Sequence, residues 1–391
     1  MALNIRTIGI DGGGRFATAL AQALSYREEV EKILMYIRDE KRVNYINKKR
    51  KNITYFSNVE LDKKISATAD LSEIGKTDLI FLVVPTEDVE KAVLDLKSHY
   101  NQQPLINTNK GLEKKGRLAH EIIFDVLGEI PLLHMTGAAL ADEIIYGYPS
   151  CNQLAAFDFS LAKSIAEQLT TKNFILKPCD DLIGAELVGS FKNLVMVILG
   201  IADTRYNHSQ NVRGALIGES LRELNILRQH LGSNPNNSLE ISFGDFYLTK
   251  SRNYQFGRDF ATEKIFYGRF NPIAQFSNLK ARLRRRKYRN YISEVRETYE
   301  EIVKLFASGV HELINGAEKV LTAKMSGAYS HNPTSETLEG YRSIVPFYLI
   351  ANKLGVMNEL FIVDALYKIF YEGKNEKEVI DQILIKIGKT E

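Results

Sequence analysis

The chain has 391 residues, more than one hydrophobic core usually organises, so two domains are expected. With 45% hydrophobic and 25% charged residues it has the composition of a soluble globular protein, which excludes a disordered or membrane-embedded chain. The net charge of +3 is too small for wholesale nucleic-acid binding. Cys151 and Cys179 form neither a disulfide framework nor a CxxC pair. The longest apolar run, Leu194 to Leu199, is too short to span a bilayer, and the N-terminus lacks the apolar core of a signal peptide, so a cytoplasmic protein is expected.

Thr7-Ile-Gly-Ile10 reads as a short strand that runs into Gly12-x-Gly14-x-x-Ala17 and then the helical stretch Thr18 to Leu24. This is the dinucleotide fingerprint in its strand-turn-helix setting. Gly12 permits the tight turn, Gly14 lets a pyrophosphate approach backbone N–H groups at the helix start, and Ala17 allows close helix-strand packing. A second strand, Ile33 to Ile37, ends in Arg38-Asp39-Glu40. An acid there would bond the ribose hydroxyl of NAD, whereas Arg38 would hold the extra phosphate of NADP, and the residues leave that choice open. Asp11 is discordant: it places a negative charge just before the first glycine, where it would weaken binding of an anionic cofactor.

Further strand-like runs at 78–85, 105–108 and 132–135 alternate with helical stretches at 89–98 and 118–127. The pattern predicts an α/β domain with a doubly wound, mostly parallel sheet and helices on both faces. Its strands end in the polar or glycine-bearing turns Pro85-Thr86, Asn109-Lys110-Gly111 and Thr136-Gly137, where ligands bind in such sheets, so Lys110 is a cleft candidate.

From about Asp180 helical periodicity takes over, at 184–202, 212–231, 291–325, 343–353, 358–371 and 376–386. The expected organisation is a Rossmann domain over 1–179 and an all-α domain over 180–391, with an insertion within 258–338. In the helix 184–202, Glu186, Ser190 and Asn193 share one stripe, while Lys192 lies off it beside Val188, Gly189, Val195 and Met196. A part-buried lysine is expected there, and desolvation makes such an ammonium a proton donor and acceptor near neutrality. Taken alone, Lys192 reads more simply as a side chain lying over apolar surface and reaching solvent. Asp245 and Thr249 share one side if their turn is helical, and Arg252-Asn253 offers a guanidinium fork and an amide suited to a phosphate. Residues 280–289 carry seven Lys or Arg and no acid. In a nearly charge-balanced chain this run reads as a solvated helix face or a subunit contact rather than a nucleic-acid site. The seven histidines form no metal-ligand spacing, and no metal is expected.

Taken together these motifs resemble the bacterial-type NAD(P)-dependent glycerol-3-phosphate dehydrogenases, in order and over nearly the whole chain. The resemblance runs through the Gly12 turn, Val84-Pro85, Asn109-Lys110-Gly111-Leu-Glu, Gly184 to Asn193, Gly200 to Asp203, Asn211-Val-Arg213, Gly244 to Thr249, Ser251-Arg252-Asn253 and Glu339-Gly340. It implies reduction of dihydroxyacetone phosphate to sn-glycerol 3-phosphate for glycerophospholipid synthesis, with NAD or NADP, by a homodimer. It implies that Lys192 transfers the proton, Lys110 polarises the ketone, and Asp245 and Thr249 support Lys192. Substrate contacts would fall on Lys110, Gly137, Lys192, Asp245, Ser251, Arg252 and Asn253. Cofactor contacts would fall on Gly12, Gly14, Arg15, Phe16, Ala17, Arg38, Pro85, Lys110, Ala141, Arg252 and Glu339.

The chain departs from that pattern at Gly137-Ala138-Ala139-Leu140-Ala141, which lacks the family's proline and hydroxyl, at Asp11, Arg15 and Ala17, and in the length of 258–338. Two alternatives therefore stand beside the dehydrogenase: a paralogue acting on another phosphorylated hydroxy compound, and a non-catalytic nucleotide-binding interaction protein.

Overall fold

The computed structural model describes residues 4–234, 244, 252–269 and 339–389. Residues 1–261 and 339–391 pack as one compact unit, and 262–338 form a second. Asp245, Thr249, Ser251, the basic run at 280–289 and the expected helix at 291–325 lie outside the described residues.

The first unit is built on an eight-stranded sheet: β1 (Thr7–Asp11), β2 (Lys32–Tyr36), β3 (Ile65–Thr68), β4 (Leu79–Leu82), β5 (Leu105–Asn107), β6 (Leu132–Gly137), β7 (Ser150–Ala156) and β8 (Phe174–Cys179). Their order is β3-β2-β1-β4-β5-β6-β7-β8. Strands β1 to β6 run parallel, β7 is antiparallel to β6, and β8 is parallel to β7. The strand order reverses between β1 and β4, which makes their carboxyl ends the switch point of a doubly wound sheet.

Helices α1 (Arg15–Ser25), α2 (Glu40–Lys49), α3 (Leu71–Ile74), α4 (Val89–Leu96), α5 (Ala119–Leu127), α6 (Ala141–Ile144) and α7 (Phe159–Leu169) connect the strands. Alternate strand residues divide between two cores, as a pleated strand requires. Ile8, Ile10, Ile33 and Met35 pack with Ala17, Leu20 and Leu24 of α1. Leu34, Ile80, Leu82 and Leu105 join Val89 and Val93 of α4 in the other core.

The second core continues into the helices that follow: α8 (Leu182–Arg205), α9 (Gln210–His230), α10 (Arg252–Arg269), α11 (Glu339–Leu354), α12 (Phe361–Tyr371) and α13 (Glu376–Ile387). α8 is its spine. It is the one helix among the described residues long and apolar enough to cross a membrane, yet 94% of its apolar window is buried inside the protein. It is therefore a core helix, apolar all round because packing surrounds it. Its start is held by a buried polar clamp. Asp181 caps Gly184 N and accepts from Arg228 Nη2 at 3.0 Å and Ser233 Oγ at 2.7 Å, fastening α8 to the end of α9.

Candidate active site

At the switch point the fingerprint folds as its spacing requires. Gly12 has φ +148°, and a Cβ there would lie 2.4 Å from Val83 O, so no other residue fits. Beside Gly14, by contrast, a Cβ would meet nothing within 4 Å. Gly14 is the N-cap of α1 and provides no side-chain cap, which leaves first-turn N–H groups directed at this open space. The residues fit a dinucleotide pyrophosphate. Ala17 is fully buried against the sheet and Phe16 is half-buried beside it.

Arg15 and Arg38 behave differently from each other. Arg15 lies over the Phe56 ring at 4.8 Å and pairs through Nε with Asp142 Oδ1 at 2.8 Å, tying α1 to α6. Ala141, the first residue of α6, packs against the same core. Arg38 is exposed at the carboxyl end of β2. The neighbouring Asp39 is engaged as the N-cap of α2, accepting from Lys41 N at 2.9 Å. Asp11 is 4% exposed, and burial pushes its carboxyl up to about 7 against the pull of Arg38, with Asp95 adding to the rise. The full negative charge expected from the sequence is thus reduced near neutrality, because desolvation disfavours the ionised form.

The second cluster lies at the carboxyl ends of β4, β5 and β6, where α8 crosses them. Pro85 and Thr86 follow β4, Lys110 follows β5, and Gly137 ends β6 with φ +147°. Lys110 Nζ donates to Gly137 O at 2.8 Å. Gly189 lets α8 approach β6: a Cβ there would sit 2.9 Å from Thr136 Oγ1 and 3.6 Å from Lys110 Cγ. One turn on, Lys192 is only 6% exposed, more deeply buried than its sequence position suggests.

Asn193 joins these parts. Its Nδ2 donates to Lys110 O at 3.1 Å and to Glu339 Oε2 at 3.0 Å. Thr86 Oγ1 reaches the other oxygen of Glu339 at 3.5 Å. Burial pushes the Glu339 carboxyl up, while Lys110, Arg252, Thr86 and Lys192 act in the opposite direction. Three cations from separate stretches of the chain therefore act by charge on one carboxyl. Arg252 and Asn253 open α10, and Asn253 Oδ1 accepts from Gly340 N at 3.0 Å, fixing the start of α11 beside them.

Several polar residues that support this cluster carried no role in the sequence reading. Asn193 stood out only as part of a helical stripe and as the last residue of the motif Gly184 to Asn193, with no role assigned to it. Asn107 and His134 form a buried floor next to Lys110, with Asn107 Nδ2 on Asn109 Oδ1 at 2.6 Å and 3.3 Å from His134 Nδ1. Burial, with Lys110 and His120 nearby, pushes His134 down to about 3, so its ring is neutral. His120 Nδ1 lies 2.6 Å from Glu186 Oε2, joining α5 to α8. Polar residues inside strands and on an apolar helix were the available signal, since burial demands partners for them.

A doubly wound sheet with a glycine-rich turn at its switch point, and a lysine-bearing core helix across the neighbouring strand ends, define a dinucleotide-dependent oxidoreductase. Residues 7–162 match the family described as NAD-dependent glycerol-3-phosphate dehydrogenase N-terminus, and 181–283 match its C-terminus. The chain belongs to the NAD-dependent glycerol-3-phosphate dehydrogenase family. It is 31% identical over 269 residues to a glycerol-3-phosphate dehydrogenase [NAD(P)+] of Rickettsia bellii, an alignment covering 66% of this chain and 85% of the relative. With that of Halothermothrix orenii it is 32% identical over 257 residues, covering 65% and 74%. The crystal structure of glycerol-3-phosphate dehydrogenase from Coxiella burnetii superposes with a TM-score of 0.70 at 21% identity, covering 97% of this chain and 99% of the other. The enzyme GPD1 of Saccharomyces cerevisiae gives 0.71 at 19% identity, covering 96% and 99%. At these identities the structural likeness speaks for the fold alone.

Proposed function

We propose that this chain interconverts dihydroxyacetone phosphate and sn-glycerol 3-phosphate, with Lys192 as the proton donor and acceptor. The observation that supports this reading is that Lys110, Lys192 and Arg252 all act by charge on Glu339, at the carboxyl ends of β4, β5 and β6, next to the strand β1 that carries the fingerprint. When bound, a reduced nicotinamide supplies the hydride to the carbonyl carbon. Lys192 gives a proton to the carbonyl oxygen and takes it back in the reverse direction. Lys110, steadied at its carbonyl by Asn193 and at its ammonium by Gly137 O, places positive charge where the oxygen becomes negative. Arg252 and Asn253, with Ser251 beside them in sequence, receive the substrate phosphate, because a guanidinium fork matches its oxygens. Asp245 and Thr249 support Lys192.

On the cofactor side, Gly12, Gly14, Arg15, Phe16 and Ala17 hold the pyrophosphate, with Pro85, Ala141 and Glu339 lining the path to the nicotinamide. Arg38 is the exposed charge at the end of β2 while Asp39 is occupied as a cap, an arrangement that favours the 2′-phosphate of NADP. The chain acts as a cytoplasmic homodimer feeding glycerophospholipid synthesis, and sedimentation equilibrium checks the dimer. The reaction itself is tested by reduced-nicotinamide absorbance with dihydroxyacetone phosphate, for NADH and NADPH, beside Lys192→Met. Consumption that requires the phosphate and vanishes in the variant supports the reading. Cofactor binding without consumption would transfer the proposal to another phosphorylated ketone, which the loss of a hydroxyl at Ala139 would accommodate.

A further inference from the structure

Gly13 stands between the two glycines of the fingerprint, and its carbonyl is held from outside the turn. Arg42 Nη2, from α2, donates to Gly13 O at 2.6 Å, and Asn52 Nδ2 donates to the same oxygen at 3.3 Å. Asn52 Nδ2 also donates to Thr18 Oγ1 at 2.8 Å, and Thr18 Oγ1 donates in turn to Gly14 O at 2.8 Å. Two consecutive carbonyls are thus tied to residues that lie outside the fingerprint, one directly and one through Thr18.

Both donors are themselves fixed. α2 ends on Arg50 in the left-handed region, with φ 52°, and the chain then brings Asn52 against α1, where it is 1% exposed. Arg50 closes this segment by donating through Nε and Nη2 to Leu61 O at 3.1 and 2.9 Å. Phe56 N donates to Asn52 O at 2.8 Å, and the Arg42 guanidinium lies over the Tyr55 ring at 5.4 Å. Gly13 is also packed on Ile37: a Cβ there would lie 2.5 Å from Ile37 Cγ1.

Orientation follows from peptide geometry. A trans peptide is planar, with its C=O and N–H pointing in opposite directions. Holding Gly13 O toward Arg42 and Asn52 directs the Gly14 N–H the other way, and holding Gly14 O does the same for the Arg15 N–H. These are the donors that open α1, beside the open space at Gly14. Donors already aimed at an anion need no reorganisation when it binds. A charge-assisted bond from Arg42 also polarises the peptide and strengthens its N–H as a donor.

We propose that Arg42 and Asn52 are positioning residues for the cofactor, fixing the two peptide planes whose N–H groups receive the pyrophosphate without contacting it themselves. The inference rests on the dinucleotide reading of the turn.

The test is the dissociation constants of NADH and NADPH, read by nicotinamide fluorescence, and of ADP-ribose, read by calorimetry. Asn52→Leu removes the donor at similar volume and alters no charge, and should weaken all three about tenfold, the scale of one lost hydrogen bond. Arg42→Leu should do the same, while Arg42→Lys, which keeps a donor and the charge, should recover most of the affinity. In steady state the KM for NADH should rise by that factor, with no fall in kcat at saturating NADH and no change in the KM for dihydroxyacetone phosphate. Asn52→Leu binding as tightly as wild type overturns the proposal. So does an Arg42→Leu defect confined to NADPH, which would make Arg42 a contact of the 2′-phosphate, and so does a fall in kcat in both Leu variants, which would report a general loss of structure. If Asn52→Leu does not fold, Arg42→Leu is compared at low salt and at about 1 M KCl: a lost hydrogen bond persists at both, whereas a defect screened away by salt is a lost field and overturns the proposal. Failure of wild type to bind any of the three probes overturns the cofactor reading as well.

Discussion

The cofactor end and the lysine cluster of this site are built on different principles. The cofactor end is local in its backbone: Gly12, Gly14, Arg15, Phe16 and Ala17 form one strand-turn-helix passage, with remote contacts where Val83 O packs on Gly12 and where Arg15 meets Phe56 and Asp142. The lysine cluster is assembled from afar. The Asn193–Glu339 bond spans 146 positions, and the Thr86–Glu339 contact spans 253. A local site tolerates change elsewhere, whereas an assembled one fails when any of its supporting elements moves.

The largest effect that would break this contrast is Lys192→Met. It is expected to lower kcat by about 10²- to 10⁴-fold, the range for a lost general acid, while leaving the NADH dissociation constant nearly unchanged. A parallel loss of cofactor affinity would mean that the two regions are one. Asp11 gives the next effect, on stability. Its folded value of about 7 exceeds the ordinary 3.8, so the native state binds the extra proton between those values. The stability this contributes is complete below about pH 4 and is lost as pH rises through 7, on the order of 4 kcal/mol across the window. Urea unfolding at pH 5 and 8 should show a larger loss of stability in wild type than in Asp11→Asn, the difference being the Asp11 part of the slope.

Gly189→Val tests whether the assembled cluster depends on the approach of α8 to β6. The new side chain meets Thr136 Oγ1, where even a Cβ would lie at 2.9 Å, and overpacking of this kind costs about 1–3 kcal/mol. Activity is expected to fall by about 10²-fold, because a displacement near 1 Å suffices for that loss, and stopped-flow measurement of hydride transfer checks it. The smallest effect is Arg15→Ser. The Arg15 and Asp142 side chains are 49% and 62% exposed, so their pair contributes about 0.2–1 kcal/mol and the melting temperature should barely move. A larger drop would show that the cofactor end also relies on distant support, through α6.

The same contrast explains what could be read in the chain. The doubly wound sheet was legible because apolar runs and glycine-bearing turns alternate along it. The helical character of residues 182–230 and 339–387 was likewise legible from periodicity. Motif order proposed Lys110, Lys192 and Glu339 as site residues through resemblance, and the structure brings Lys110 and Glu339 onto Asn193, but no local pattern assigns Asn193 these two partners. His134 next to Lys110, and His120 against Glu186, were equally hidden: each is an ordinary residue until the fold buries it beside a charge.

Sequence by itself marked the turn at Gly12 and Gly14, since a positive φ at Gly12 requires glycine, whereas the close approach of Val83 O to Gly12 comes from the pairing of β1 with β4. It also determined that α8 is apolar enough to form the spine of the second core. Tertiary structure alone decided how deeply Lys192 is buried, which cations act on Glu339, and that burial pushes the Asp11 carboxyl up to about 7. Those properties are set by desolvation and by charges brought in from distant positions, and chain order records neither.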